Sequence, residues 1–289
     1  MKSNSKYRIR FERFLLIVIY LFVAISLVPF FWICWDLLTK GLYHLDVNLL
    51  IKSMADKTTM YLTKEGYESL QGGIVHALLG TVYIIFIALL VSIPIGLGSS
   101  IYMYINQGKK IAILTEWACR IISGVPSIII GVIIYFWIVV PLHGFSALAG
   151  GIALAIIMIP LITLTTYQSL KQIPSVYVEE GIVLGGSKLK IITKILIPMA
   201  SKNIKSGLLF SIGNSIGETT PLLFTALGSS MINWDLLQPT STLTTFIWEI
   251  FETPRLSELL WSASLILFII TLLINVLANK YQENERKYS

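Results

Sequence analysis

Residues 14–35 read FLLIVIYLFVAISLVPFFWICW, an unbroken run without an acidic or basic side chain. At about 1.5 Å of rise per residue, a helix of that length spans about 33 Å, enough to cross a hydrocarbon core of about 30 Å. Further charge-free runs, neutral His aside, extend from Ser69 to Gly108, Ile121 to Leu170, Ser206 to Gly217 and Leu259 to Asn279. A soluble protein would have to bury several unusually long helices at once. Lipid is the simpler solvent for them.

Composition agrees: 55% of the 289 residues are hydrophobic and 13% charged, against about 25% charged in soluble domains. Lys2, Lys6, Arg8, Arg10 and Arg13 precede the first run, as in a secretory signal. The run is longer than the roughly 7–15 residues of such signals, and it ends in bulky Phe30-Phe31-Trp32-Ile33-Cys34-Trp35 rather than a small-x-small cleavage site. It reads as a retained anchor, with Trp32 and Trp35 in the outer aromatic belt.

The net charge of +6 does not point to nucleic acid, because the basic residues sit in short segments at one end of alternate spans. The positive-inside rule places the amino terminus, Lys109-Lys110, the stretch from Lys171 to Lys205 and the tail with Lys280, Arg286 and Lys287 in the cytoplasm. The expected spans lie near residues 14–35, 74–104, 112–140, 146–169, 203–228 and 257–279, with both termini inside. All are helical, because lipid cannot satisfy an open strand edge. The expected fold is therefore an all-α integral membrane protein of about six transmembrane helices. Residues 36–72 read as a small external cap, and no internal repeat stands out. Cys34 and Cys119 fall near opposite ends of their spans and cannot pair, and no Cys/His spacing suggests a metal.

The loop between the fourth and fifth spans is different in kind: Pro174-Ser-Val-Tyr-Val-Glu-Glu-Gly-Ile-Val-Leu-Gly-Gly-Ser-Lys-Leu-Lys-Ile-Ile-Thr-Lys-Ile-Leu-Ile-Pro198. Pro174-Ser175 can start a helix, Gly185-Gly186 can end it, and Ser187 can cap the next. A helix that merely lay on headgroups would be a poor place for Glu179 and Glu180, which anionic lipids repel. The pattern Glu179-x-Gly181-x-x-x-Gly185 followed by Ile195-x-Ile197-Pro198 resembles the EAA motif of ABC importer permeases. Glu180 and Gly181 stand where that motif usually has two alanines. The resemblance implies a cytoplasmic coupling helix, with Glu179, Glu180, Gly181, Gly185 and Pro198 serving contact with an ATPase.

Gly72-Gly73-Ile74, Leu79-Gly80-Thr81, Ser123-Gly124-Val125-Pro126-Ser127-Ile128 and Ile216-Gly217-Glu218-Thr219-Thr220-Pro221-Leu222-Leu223-Phe224 are similar to stretches of phosphate-import permeases of the PstA type. The likeness runs from about residue 72 to the last span. It divides the chain into residues 1–71 (cytoplasmic terminus, first span and external segment), a permease domain of five helices over 72–279, and a cytoplasmic tail over 280–289. One departure is that many relatives carry Arg four residues before the Glu, where this chain has Asn214. The resemblance implies a prokaryotic cell membrane, a second permease subunit in a heterodimer, an ATPase dimer and an extracytoplasmic phosphate-binding protein. This chain would need no cofactor of its own, ATP and Mg being bound by the ATPase. It carries no Gly-x-x-x-x-Gly-Lys-Ser/Thr loop.

Glu218 lies thirteen residues, about 20 Å, beyond Lys205 and so well inside the bilayer. A central carboxylate costs roughly 3 kcal/mol to insert, so it should face protein, water or a partner charge. Pro221 cannot donate to the Gly217 carbonyl, and Pro126 likewise leaves the Ile122 carbonyl beside Ser123, Gly124 and Ser127. Two helix breaks are expected, at Gly124/Pro126 and Gly217/Pro221. A polar path would then draw on Ser123, Ser127, Asn214, Glu218, Thr219 and Thr220. Glu116 and Arg120 have the spacing of a helix-surface ion pair, and His76 and His143 read as interfacial.

The competing readings are a permease for another oxyanion, sulfate or molybdate, and a self-sufficient ion-coupled transporter using Glu218. The second leaves the loop from Glu179 to Pro198 unexplained. An enzyme lacks a converging catalytic set. Topology is directly testable in a chain freed of Cys34 and Cys119. An impermeant maleimide applied to intact cells should label a cysteine replacing Lys57 and miss one replacing Ser187. Labelling at position 187 would reject the six-span arrangement.

Overall fold

The computed structural model describes residues 4–43, 45, 47–54, 73–251, 253 and 256–286. The Lys57 position and most of the expected external cap lie outside them, as does Gly72. The described chain is helical: α1 Asn4–Tyr43, α2 Val47–Ile51, α3 Val75–Ile105, α4 Lys110–Gly124 and α5 Ser127–Ile134. A π-turn at Tyr135–Val139 leads into α6 Val140–Leu142, followed by α7 Ala147–Lys171 and α8 Val176–Val183. Then α9 Lys188–Ile191, a second π-turn at Ile192–Leu196 and α10 Ile197–Met199 form one bent rod. The remainder is α11 Ser201–Ile216, α12 Thr220–Leu223, α13 Leu243–Phe251 and α14 Ser257–Arg286.

Among the described residues, four helices (α1, α3, α7 and α14) are long and apolar enough to cross a membrane alone. The expected span at 112–140 is not one rod. Its halves α4 and α5 meet at Val125–Pro126 with a bend of 99°. The expected span at 203–228 is corrected as well: α11 stops at Ile216, α12 is a single turn, and residues 224–242 are irregular up to α13. Proline and glycine chemistry outweighs apolar run length at both places. At the other end, α14 runs past the expected boundary at Asn279 to Arg286.

The centre of the bundle is α3 packed on α7. Helices in lipid gain little from hydrophobic burial and instead associate through close packing at small residues. A methyl on Gly96 would come within 2.7 Å of Ile162, one on Gly151 within 2.6 Å of the Ile87 Cβ, and one on Gly150 within 2.9 Å of Ala226. The main core gathers Ile84, Ile87, Ala88, Leu154, Ala155, Met158, Ile162, Ile216 and Leu222 around this contact. An outer cluster joins Leu49, Met54, Ile74 and Ala77 to Leu243, Phe246 and Ile250. His76 belongs to it, 3% exposed and edge-on to Phe246 at 5.0 Å, so the expected interfacial placement is wrong. Packing from α13, distant in sequence, is what covers it.

Helix α1 flanks the bundle. From Phe11 to Ile33 nearly every side chain is exposed, and burial becomes complete only at Gly41. There Ser262 Oγ donates to the Gly41 carbonyl at 3.3 Å, and Lys40 lies over the Trp261 ring at 4.6 Å. The expected helix-surface pair is present, with Arg120 2.7 Å from Glu116.

Gly80 faces the backbone of Ser241, so that a methyl would overlap the Ser241 carbonyl oxygen. Gly98, on the same helix, has open space around it. Gly80→Ala should destabilise the detergent-solubilised protein by about 1–3 kcal/mol through overpacking. Gly98→Ala should be neutral or slightly stabilising. Thermal unfolding of the two variants side by side checks this, and equal melting would contradict the packing of the 240–242 segment on α3.

Candidate functional site: a broken helix and a helical hairpin

Helix α11 ends because its C-terminal residues run into Gly217, Glu218 and Pro221. Glu218 N–H turns back to the Ser215 carbonyl at 3.2 Å, and α12 restarts with Pro221 in its first turn, where a missing N–H costs nothing. The carbonyl of Glu218, left outside any helix, accepts from Thr244 Oγ1 at 3.0 Å. Thr244 is held by Thr242 Oγ1 at 3.0 Å, and Leu243 N–H donates to Thr81 Oγ1 on α3 at 2.9 Å. The threonines of residues 240–245 thus satisfy the broken backbone in place of water. Gly80 and Thr81, noticed in the sequence only for their family likeness, are the seat on which that segment rests.

The Glu218 side chain opens into a cleft of about 640 Å³ lined also by Asn214, Gly217, Thr219 and Thr220. The opposite wall is α14, with Thr271, Asn275 and Asn279. The helices come close there because Gly213 has no side chain: a methyl would sit 3.2 Å from Asn275 Oδ1. The sequence reading missed this wall, although the i, i+4, i+8 spacing of Thr271, Asn275 and Asn279 on an apolar helix is a legible polar stripe. Among the described residues Glu218 makes no ion pair, and no cation lines the cleft.

Ser123 and Ser127 are not part of this cleft. Ser123 Oγ donates to the Cys119 carbonyl at 2.9 Å, the usual helix back-bond. The Ile122 carbonyl is not left free either, for Val125 N–H donates to it at 3.1 Å. The two breaks do meet through the helices that follow them. Gly131 of α5 lies on Pro221 of α12, where a methyl would reach within 2.8 Å of the Pro221 Cα.

The second candidate site is the hairpin of α8 and α9. Gly185 has φ +84°, which an L side chain resists. Gly186 N–H donates to the Gly181 carbonyl and Gly185 N–H to that of Ile182, both at 2.9 Å, a Schellman ending. Ser187 Oγ then caps α9 by accepting from Lys190 N–H at 3.4 Å. Gly181 is small for a reason inside the chain, since a methyl there would meet Ile191 at 2.9 Å. Glu179 and Lys188 share a pocket of about 310 Å³ with Tyr104 in the last turn of α3 and Gln107 just beyond it. Glu180 is exposed, as is Pro198 on α10. At the tip, Val183 and Leu184 are 86% and 87% exposed, a bare apolar pair that the sequence reading did not single out.

A family model described as "Binding-protein-dependent transport system inner membrane component" matches residues 92–284. The chain is 28% identical to the phosphate transport system permease protein PstA of Haemophilus influenzae, over 99% of this chain and 100% of that protein. It is 31% identical to the probable phosphate transport system permease protein PstA of Methanocaldococcus jannaschii, over 81% of this chain and 85% of the relative. Among solved structures, an inward-facing form of the MetNI methionine ABC transporter superposes with a TM-score of 0.56 at 17% identity. That match covers 72% of this chain and 92% of the other, a likeness of fold alone.

Thr244→Val keeps the shape of the side chain and removes the donor, leaving the Glu218 carbonyl unsatisfied. The expected loss is about 1–3 kcal/mol of stability. Thr193→Val, whose hydroxyl only back-bonds within its own exposed turn at 2.8 Å, should change little. Unfolding in detergent separates the two. Equal stability would show that water fills the place of Thr244.

Proposed function

This chain belongs to the family of binding-protein-dependent transport system inner membrane components, and from that premise we infer that it is a membrane permease subunit of an ATP-driven phosphate importer. The substrate follows from phosphate-permease relatives aligned over nearly the whole chain. On the structural side, the reading is carried by the bare apolar tip of α8, Val183 and Leu184 beside Glu179 and Glu180. An apolar pair rimmed by charge fits the groove of a soluble partner, whereas nothing in a self-sufficient transporter requires it.

In this reading the partner is an ATPase dimer that binds ATP and Mg, and this chain performs no catalysis itself. A second permease subunit completes the membrane unit in a prokaryotic cell membrane, and an external phosphate-binding protein delivers the anion. The contact at the α8 tip has a route into the bundle. Val178 packs against the cluster of Leu170, Ile192, Leu196, Ala200 and Ile204, on which Tyr104 and Ile105 of α3 also pack. A push on α8 is therefore felt at the inner ends of α3, α7 and α11 together. Glu218 cannot attract an anion by charge. Its role is to pair with a basic residue of the second subunit across the open cleft, or to accept a hydrogen bond from protonated phosphate.

Expressed with its partner subunits in cells lacking their own phosphate permease, the chain should restore ATP-dependent uptake of inorganic phosphate and not of sulfate or molybdate. Leu184→Asp places a charge at the centre of the proposed contact. It should lower co-purification of the ATPase and uptake by about thirtyfold, the worth of about 2 kcal/mol at an interface hot spot. Uptake by the chain without any ATPase subunit would favour the self-sufficient transporter instead.

A further inference from the structure

Inward of the Glu218 cleft, α7, α11 and α14 border a second, half-open cavity of about 290 Å³, lined by Gln168, Gln172, Asn203 and Ser206 among others. It shares two residues with the cleft, Phe210 and Asn279, which therefore form a common wall. Its frame is fixed. Gly207 lies so close to Thr165 that a methyl would reach Oγ1 at 2.6 Å, and Ser206 Oγ donates to the Ala278 carbonyl at 2.8 Å, one residue before Asn279. At the cytoplasmic end Asn203 Nδ2 donates to Gln172 Oε1 at 3.5 Å, across from α11 to α7. No charged side chain lines this cavity, and Lys171, next to Gln172 in sequence, lies over the Tyr167 ring at 5.3 Å.

We propose, on the reading that the Glu218 cleft carries the anion, that this inner cavity is a second holding site for a tetrahedral oxyanion. It is divided from the cleft by the Phe210 ring, and the Asn203–Gln172 amide pair lies at its cytoplasmic end. The chemistry of the lining supports both binding and release. Side-chain amide N–H groups of Gln168, Gln172, Asn203 and Asn279 donate to an anion that has left water, and their amide carbonyls accept from its acidic O–H. A guanidinium in the same low-dielectric space would hold the anion far longer. Conduction needs successive sites that are each attractive enough to enter and weak enough to leave. The space equals that of about ten waters, enough for the anion with part of its hydration shell. Phe210, 52% exposed where the two polar spaces adjoin, supplies the apolar constriction between them.

The test uses the purified complex with its partner subunits in proteoliposomes, with radiolabelled inorganic phosphate as probe and flux read with and without ATP. Gln168→Leu and Asn279→Leu should each slow ATP-driven uptake about fivefold to tenfold, the worth of one neutral hydrogen bond. Asn279→Gln should recover most of that loss. Phe210→Ala should raise passive phosphate flux without ATP several-fold. Assembled Gln168→Leu and Asn279→Leu complexes with wild-type uptake, together with unchanged passive flux in Phe210→Ala, would overturn the inner site. Loss of co-purifying phospholipid in those variants with uptake intact would overturn it too, by assigning the cavity to a lipid headgroup. Glu218→Gln in the same assay separates the two levels. If it alone impairs uptake, the outer cleft stands and the inner site falls. If it too is silent, both fall.

Discussion

The contact between α3 and α7 sets the terms for the rest of the molecule. Two helices in lipid have no water to expel, so their association depends on how closely their backbones approach. Gly96 opposite Ile162 and Gly151 opposite Ile87 bring them together along most of their length. That rigid pair supports elements that could not persist alone. Helix α12 is a single turn, yet Leu222 is 1% exposed because the pair gives it a surface to pack on. The irregular stretch after it is anchored to the same support, with Ser146 N–H donating to the Thr225 carbonyl at 3.0 Å and Ala147 N–H to that of Gln238 at 3.0 Å.

The broken helices follow from this support. A proline inside a lipid-bathed helix normally leaves a carbonyl that water cannot reach. Here the Ile122 carbonyl, which Pro126 cannot meet, accepts from Val125 N–H, and the Glu218 carbonyl at the other break accepts from Thr244 Oγ1. Polar backbone at membrane depth thereby becomes tolerable, and a cleft with a carboxylate can exist between α11 and α14.

What the sequence revealed was the chemistry that acts over a few residues. Charge-free runs announced α1, α3, α7 and α14, and Gly185-Gly186-Ser187 announced a helix ending and the cap that follows. The prolines at 126 and 221 announced both breaks. What it concealed depended on long-range register. Residues 224–228 are apolar enough to extend a span, and only the docking of Thr240–Thr245 against α3 shows why they leave the helix. His76 looked interfacial until Phe246, 170 positions away, was seen to cover it. The far wall of the cleft was missed because Asn275 and Asn279 gain meaning only opposite Asn214 and Gly213.

Helix α1, fastened to the bundle near Gly41 and bare along most of its length, has a consequence for biogenesis. A segment made before the helices it packs on must wait in the bilayer while the chain behind it is still being made. One that needed neighbours to shield a polar face would spend that interval exposed. α1 needs none: between Phe14 and Trp35 it offers lipid an uncharged surface on every side. Its partner, α14, is synthesised only after α3 to α13. The Gly41–Ser262 contact is therefore a late closure, joining α1 to α14 once the helices between them have already found one another.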